Sequence, residues 1–228
     1  MKEDLRTLIE KYRVMGVVTL LVIVISFIFF SFWSQREKKD VSFKLKLFYS
    51  DMFQTMQYSV NNNGPSSEWN WSTSDKITFL NDHIINYLRV SKNCLDTKNG
   101  CFSQQNYFNL NGLKTNINLS KYPSIVLQNG IAVAFKLNNS CSHKDSVCAF
   151  VFVDVNGKEA PNKFGKDLFV FAIENSANMP FTPFKHVNDT YVFLTDKKYG
   201  CNKYSDMPMY CAAYLFTTNW SIDSRYPW

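Results

Sequence analysis

The stretch from Val14 to Trp33, VMGVVTLLVIVISFIFFSFW, contains twenty residues and no charged side chain. A helix of this length is about 30 Å long, which matches the hydrocarbon core of a bilayer. A core helix of a soluble protein would normally have a polar face, and this stretch has none. A cleaved secretory signal would be shorter and would end in small residues, whereas this stretch ends in Phe32 and Trp33. The sequence therefore predicts one membrane-spanning helix over residues 14–33.

The formal net charge of +6 is explained largely by basic residues that flank this stretch. They are Lys2, Arg6, Lys11 and Arg13 before it, and Arg36, Lys38, Lys39, Lys44 and Lys46 after it. Lys and Arg at the ends of a membrane helix reach the lipid–water interface with their charged groups. The charge is therefore no nucleic-acid signature, and we expect no nucleic-acid partner. Because both sides are basic, charge alone does not fix the orientation of the helix.

All six cysteines follow the apolar stretch and form three close pairs along the chain. The pairs are Cys94/Cys101, Cys141/Cys148 and Cys201/Cys211. Each pair brackets a polar loop, so disulfides between neighbours are the simplest connectivity. A zinc site is the alternative, but no CxxC spacing occurs and the nearest histidine, His143, lies inside a pair. Disulfides form in oxidising compartments, so we expect the C-terminal bulk outside the cytoplasm and residues 1–13 inside.

A helical stripe continues beyond the predicted membrane span. Apolar residues recur at steps of three and four at Val41, Leu45, Phe48, Met52 and Met56. Because no Gly or Pro interrupts residues 18–62, the sequence predicts one long helix that ends near Gly64 and Pro65. We expect a cytoplasmic head (1–13), a transmembrane helix (14–33), an amphipathic continuation (34–62) and a globular domain (63–228).

The globular part contains helix signals first and strand signals afterwards. Ser74–Val90 predicts a second helix, with Thr73 or Ser74 as its N-cap. The predicted strands are Ser124–Gln128, Ile131–Leu137, Ala149–Val155, Leu168–Ile173 and, as a fifth, Tyr191–Leu194. Asn129-Gly130 predicts a type I′ hairpin turn, with positive φ at both positions. The aromatic tail Cys211–Trp228 is expected to pack on the domain. The fold class is α+β, a long helix packed on a small antiparallel sheet.

The loop from Asp154 to Asp167 is the candidate metal site. It offers oxygen ligands at Asp154, Asn156, Asn162 and Asp167, and hard cations such as Ca²⁺ prefer such oxygens. The spacing is not that of an EF-hand, because the glutamate at the twelfth position is missing. The alternative is a metal-free connection between strands, in which Asp and Asn side chains cap their own turns.

Catalytic motifs are missing from the sequence. It contains no GxSxG, HExxH or P-loop pattern, and its histidines, His83, His143 and His186, are scattered. We expect His83 to be a surface or hydrogen-bonded polar residue. The sequence therefore favours a protein that is not an enzyme.

A long, half-membrane N-terminal helix followed by a small disulfide-bonded sheet resembles type IV pilins and type II secretion pseudopilins. The segments that carry the resemblance are 87–94, the hairpin 125–135, the DVNG…PNKFGKD block at 154–167, and CAAY…NW at 211–220. The resemblance implies a bacterial inner-membrane subunit with a periplasmic domain that assembles with other pilin or pseudopilin subunits. Some pseudopilins also carry calcium in a comparable loop.

The N-terminus departs from the pilin pattern of a glycine, then Phe-Thr-Leu-x-Glu. Thr7 to Glu10 matches part of it, but Leu5 stands at the glycine position and Arg6 at the phenylalanine position. If Gly16 is the cleavage glycine instead, Leu21 stands where the glutamate is expected. The alternative is an uncleaved, non-assembling membrane protein with a ligand- or protein-binding ectodomain. A third alternative, a type II membrane glycoprotein, follows from Asn-x-Ser/Thr triplets such as that at Asn188.

Overall fold

The computed structural model describes residues 2–96, 100–139, 141, 143–144, 146–176, 180–185 and 189–228. The chain divides into two compact units, one ending at Asp40 and one running from Val41 to Trp228. The helices are α1 (Lys2–Asn63), α2 (Lys76–His83), α3 (Thr190–Thr195) and α4 (Cys211–Thr217). The strands are β1 (Val90–Cys94), β2 (Ser124–Leu127), β3 (Ala132–Leu137), β4 (Val147–Asp154), β5 (Leu168–Glu174) and β6 (Phe181–Pro183). Short 3-10 turns occupy Ser66–Glu68, Ile85–Tyr87 and Leu119–Lys121.

Helix α1 is uninterrupted and ends where predicted, because Gly64 adopts a positive φ of 78° and Pro65 follows. In the first unit, the large apolar side chains between Val14 and Trp33 are 44–75% exposed. The hydroxyls of Thr19 and Ser26 donate to helix carbonyls four residues earlier. By length and composition, α1 is the one described helix that could cross a membrane.

In the second unit, the stripe on α1 forms part of the hydrophobic core. Val41, Leu45, Phe48, Met52 and Met56 are all buried, as their spacing predicts. The ring of Phe48 contacts Phe171 of β5 edge-on, with ring centroids 5.3 Å apart. It contacts Phe181 of β6 in the same manner at 6.0 Å. This part of α1 therefore packs on the sheet, which confirms the α+β class.

The described residues form one six-stranded antiparallel sheet in the order β1 to β6. The central strands β4 and β5 pair over seven positions, from Val147↔Glu174 to Asp154↔Leu168. Every residue of β5 except Glu174 is buried. A strand with consecutive buried residues is covered on both faces, which explains its unbroken apolar sequence.

The hairpin between β2 and β3 forms at the predicted place, but its turn differs from the type I′ prediction. Only Gly130 has a positive φ, of 84°, and Asn129 does not. The N–H of Gly130 donates to the carbonyl of Leu127, which closes a turn that includes Gln128. The loop therefore has three residues with Gly at the left-handed position, the next most common hairpin geometry.

The predicted helix Ser74–Val90 is too long. Helix α2 ends at His83, and its N-cap is Asp75, whose side chain accepts from the Thr78 N–H. Val90 begins β1 instead, where it pairs with Leu127 of β2. The polar sequence VSKNC lacks the alternation that marks a strand. Pairing with β2, rather than the local sequence, therefore makes this segment a strand.

The predicted strand Tyr191–Leu194 is wrong, because the segment lies in helix α3. The Asp189 carboxylate accepts the Tyr191 N–H and caps this helix. Phe193 is buried, and its ring lies 5.6 Å from that of Tyr210. The Asp189 cap and the burial of Phe193 stabilise the helix, although aromatic and β-branched residues favour a strand.

The three disulfides join the predicted neighbours, Cys94–Cys101, Cys141–Cys148 and Cys201–Cys211. The first closes a loop that turns back onto β1, where the Lys92 ammonium donates to the Gly100 carbonyl. The third fixes the start of helix α4. In the tail, residues 211–215 of α4, Trp220 and Tyr226 are buried, which confirms that the tail packs on the domain.

Candidate cation site

Two carboxylates lie at the turn between the central strands. Asp154 is the last residue of β4, and Asp167 directly precedes β5. The N–H of Val155 donates to the Asp167 carbonyl at 2.9 Å, which extends the β4–β5 ladder beyond the strand ends. Both side chains are almost fully buried, at 0% and 2% exposure. The antiparallel pairing of β4 and β5 therefore brings two acidic side chains together inside the domain.

The loop between the strands folds around the Asp167 carboxylate. One oxygen accepts the Asn162 N–H at 2.7 Å, and the other accepts the Lys163 N–H. The Asn156 amide nitrogen approaches the first oxygen at 3.5 Å. Asn162 adopts a positive φ of 51°, a conformation that Asn tolerates better than most residues. Asp167 therefore organises the loop through its backbone.

Asp154 accepts one hydrogen bond from outside the loop and one from within it. Its Oδ2 accepts a hydrogen bond from the hydroxyl of Tyr107 at 2.8 Å, and its Oδ1 accepts the Asn156 N–H at 3.3 Å. Tyr107 is 1% exposed. Sequence reasoning missed Tyr107, because nothing in the chain between residues 101 and 114 marks it as a partner of an aspartate far along the sequence.

Burial makes both carboxylates hard to ionise. Burial, together with the nearby charge of Asp167, raises the pKa of Asp154 to about 8. Burial also raises the pKa of Asp167, to about 6, although backbone N–H donors oppose this shift. Within the described part of the chain, neither carboxylate has an ion-pair partner. The pair therefore favours either a proton or a bound cation between its members.

Two amide oxygens of the same loop are buried without a partner in the part of the chain that the structure describes. Oδ1 of Asn156 and Oδ1 of Asn162 are buried and have no hydrogen-bond partner among the described residues. A buried amide oxygen without a partner is unfavourable unless something else satisfies it. Carboxylate and amide oxygens are the ligands that Ca²⁺ prefers. The four predicted residues thus lie together, and their chemistry fits a hard cation.

Any metal ion at this site would depend on the asparagine oxygens. The described residues contain no group of three or more His, Cys, Asp or Glu side chains that could hold a metal ion. The site has only two such side chains and depends on the asparagine oxygens for the rest. An all-oxygen set of this kind suits Ca²⁺ better than zinc.

The C-terminal tail packs against the loop. The Tyr226 hydroxyl donates to the Gly165 carbonyl at 2.6 Å, and Gly165 has a positive φ of 72°. A Cβ at Gly165 would lie 2.7 Å from Sγ of Cys211. The Lys166 ammonium lies 5.1 Å from the centre of the Trp228 ring. The last disulfide and the C-terminal tail therefore pack against the loop at Gly165 and Lys166.

The remaining predicted residues lie elsewhere. His83 is half-buried, and its Nδ1 atom is buried and has no hydrogen-bond partner among the described residues. Its ring stacks on Trp69 at 4.3 Å, and burial lowers its pKa. His186 and Asn188 lie outside the described residues. The backbone at Leu5, Arg6, Glu10 and Gly16 is helical, within α1.

Comparison with known proteins gives one family. No curated protein and no solved structure matches the chain. A family of unknown function, DUF6613, matches residues 31–228. The matched range begins near the end of the apolar stretch and includes the whole sheet and the candidate cation site. The chain therefore belongs to the DUF6613 family.

Proposed function

We propose that the protein is a membrane-anchored structural subunit of a filament that resembles a type IV pilus or a type II secretion pseudopilus. The observation that carries this proposal is helix α1, which is continuous over Lys2–Asn63. Its residues 14–33 expose apolar side chains all round, whereas the stripe from Val41 to Met56 is buried in the domain. One helix thus supplies both an anchor and an attachment to the folded domain.

An apolar helix surface needs lipid or neighbouring helices to cover it. Gly16 has no side chain, and apart from its own helix backbone no atom lies within 4 Å of the position that a Cβ would occupy, so a second helix can approach closely there. Small residues at such points favour helix association in membranes. The proposed partners are other copies of this chain or related subunits, packed side by side through residues 14–33.

The disulfides support the rest of the assignment. They form in oxidising compartments, which supports a proposed topology with the domain in the bacterial periplasm and the N-terminus in the cytoplasm. The proposed role of the cation site is structural, since Ca²⁺ there would stabilise the β4–β5 loop. In this proposal the protein is not an enzyme.

The second candidate function is a non-assembling membrane protein with a binding ectodomain. One observation favours it: Leu5 and Arg6 occupy the positions where a pilin has its cleavage glycine and the following phenylalanine. Without cleavage, the charged residues before Val14 would remain attached to the membrane helix and hinder close packing of subunits.

Two measurements on protein from native membranes separate these functions. The first is the intact mass and N-terminal sequence, for which processing predicts a new N-terminus at Arg6 or Val17. The second is oxidative cross-linking of a double variant, Val18→Cys with Phe27→Cys. These positions lie on opposite sides of α1, since each residue turns the helix by about 100°.

A filament subunit gives a ladder of covalent oligomers with the double variant, whereas Val18→Cys alone gives dimers and nothing larger. If the chain keeps Met1 and the double variant stays monomeric, the filament proposal is wrong and the binding ectodomain takes its place.

A further inference from the structure

A polar cavity of about 490 Å³ lies on the domain, between the segments 103–107 and 114–121. It is separate from the oxygen atoms of the cation site, although Tyr107 borders both. Thr115 fixes this shared wall, because its hydroxyl donates to the Tyr107 carbonyl at 3.0 Å. The 3-10 turn Leu119–Lys121 also lines the cavity.

The cavity is lined mainly by amide and hydroxyl side chains. Gln104, Gln105, Asn106 and Asn116 are exposed, and their amide groups make no hydrogen bond to any other residue that the structure describes. Each amide offers both a donor and an acceptor. Such a lining matches a ligand with many hydroxyl groups, because each hydroxyl can also donate and accept.

Two lysines give the cavity a positive charge. Lys114 and Lys121 belong to the lining, and no Asp or Glu does. Neither ammonium forms an ion pair within the described part of the chain. Two positive charges in a lining without carboxylates attract an anionic group.

Other ligand classes fit this cavity poorly. An apolar ligand would remove water from the amides without replacing their hydrogen bonds. A divalent cation would find no carboxylate in the lining. Single-stranded nucleic acid needs exposed aromatic rings on which its bases can stack. The one aromatic residue among the lining residues, Tyr107, is buried and donates its hydroxyl to Asp154.

We infer that the cavity between segments 103–107 and 114–121 binds an acidic saccharide, with its hydroxyls on the amide side chains and its carboxylates on Lys114 and Lys121. This site is independent of the proposed filament role, because it uses neither α1 nor assembly. It gives the domain a surface for an extracellular uronic-acid polymer.

The test is isothermal titration calorimetry on the full chain in detergent micelles, at low salt. The probes are trigalacturonic acid and its neutral methyl ester, which share their hydroxyl groups and differ in charge. We expect the acid to bind and the ester to bind at least about tenfold more weakly, since the loss of one or two charged contacts has roughly this effect.

Variants locate the site. Lys114→Gln and Lys121→Gln should each weaken trigalacturonate binding by about three- to fivefold, and the double variant by more. Asn116→Ala should weaken binding of both probes, because it removes a contact to a hydroxyl. Lys158→Gln is the matched control, since it removes one exposed positive charge outside the cavity and should leave binding unchanged.

Several results would overturn the inference. These are no detectable heat with trigalacturonate, equal affinity for acid and ester, or equal effects of Lys114→Gln and Lys158→Gln. Tighter binding of a thymidine oligonucleotide that depends on the same lysines would assign the cavity to nucleic acid instead. Thermal unfolding of each variant checks that the domain is folded, and Asn116→Ala provides a test that leaves the charge unchanged.

Discussion

The hydroxyl of Tyr107 donates a buried hydrogen bond to the Asp154 carboxylate, across 47 residues of sequence. This contact joins the loop before β2 to the end of β4, at the point where two carboxylates meet. A neutral hydroxyl can stabilise an ionised carboxylate but cannot cancel its charge. Tyr107 therefore positions Asp154, but it does not neutralise the negative charge of the Asp154–Asp167 pair.

Calcium should stabilise the domain through Asp154 and Asp167. At a free concentration about 100-fold above Kd, a bound ligand adds about 2.7 kcal/mol to the free energy of unfolding. For a domain of this size the melting temperature should rise by roughly 5–10 °C. The measurement is thermal unfolding of the full chain in detergent, in EGTA and in excess Ca²⁺.

Asp154→Asn should abolish this calcium response, because it removes one of the two charges that hold the ion. Glu159→Gln is the control, since it removes an exposed negative charge from the same loop and should keep the response. A wild-type protein that melts at the same temperature in EGTA and in Ca²⁺ would leave the metal-free loop as the correct description.

Without a cation, the domain should lose stability as the pH rises. Burial raises the pKa of Asp154 to about 8 and that of Asp167 to about 6 in the folded chain, whereas unfolded Asp titrates near pH 4. The folded state therefore binds more protons than the unfolded state between these values, so the free energy of unfolding falls across that range.

Denaturant unfolding in EGTA at several pH values measures this loss. We expect Asp154→Asn to flatten the curve, and Ca²⁺ to offset the loss on the alkaline side. A wild-type protein that becomes more stable from pH 5 to pH 8 in EGTA would contradict the assignment of the raised pKa values.

Gly165 should tolerate no larger side chain. A Cβ there would lie 2.7 Å from the Cys211 sulfur and 3.2 Å from the Tyr226 hydroxyl. Gly112 has a similar positive φ of 85°, but its Cβ position is open. Both Ala variants share the backbone strain, so Gly165→Ala should cost about 1–3 kcal/mol more than Gly112→Ala, from overpacking. Equal unfolding free energies of the two variants would show that the C-terminal tail can move away from the added methyl group without loss of stability.

The Cys201–Cys211 disulfide should contribute strongly to stability. It closes the loop that leads into helix α4, and both cysteines are buried. Replacing both by Ser should lower the free energy of unfolding by about 2–5 kcal/mol, the usual loss for a native disulfide in a small domain. An unchanged melting temperature, measured by circular dichroism, would count against the bond.

The sequence predicts those parts of the fold that follow from local periodicity. The stripe from Val41 to Met56 is buried, as predicted. This prediction is possible because a helical period can be recognised without knowing the surface that the helix packs on. The strand β1 and the helix α3 were not predicted correctly, because their states depend on pairing with β2 and on the pocket around Phe193. Pairing and packing of this kind join distant segments, and a window of sequence does not contain them.

The cation site, too, can be predicted from the sequence only in part. The residue types in the loop indicate oxygen ligands, and the predicted set lies together. What makes the set suitable for a cation is that Oδ1 of Asn162 has no partner and that Tyr107 reaches Asp154. Both facts depend on which side chains the fold brings near the loop, so neither follows from the spacing of the ligands.

The two outer strands have a consequence for how copies of this domain can meet. Along β1 the Lys92 side chain is drawn to the Gly100 carbonyl of the disulfide loop, and β6 has three residues and ends in Pro183. A charged edge and a short, proline-ended edge both discourage strand addition. Both edges of the sheet therefore oppose strand addition. Polymerisation of this protein should cause no rise in thioflavin T fluorescence.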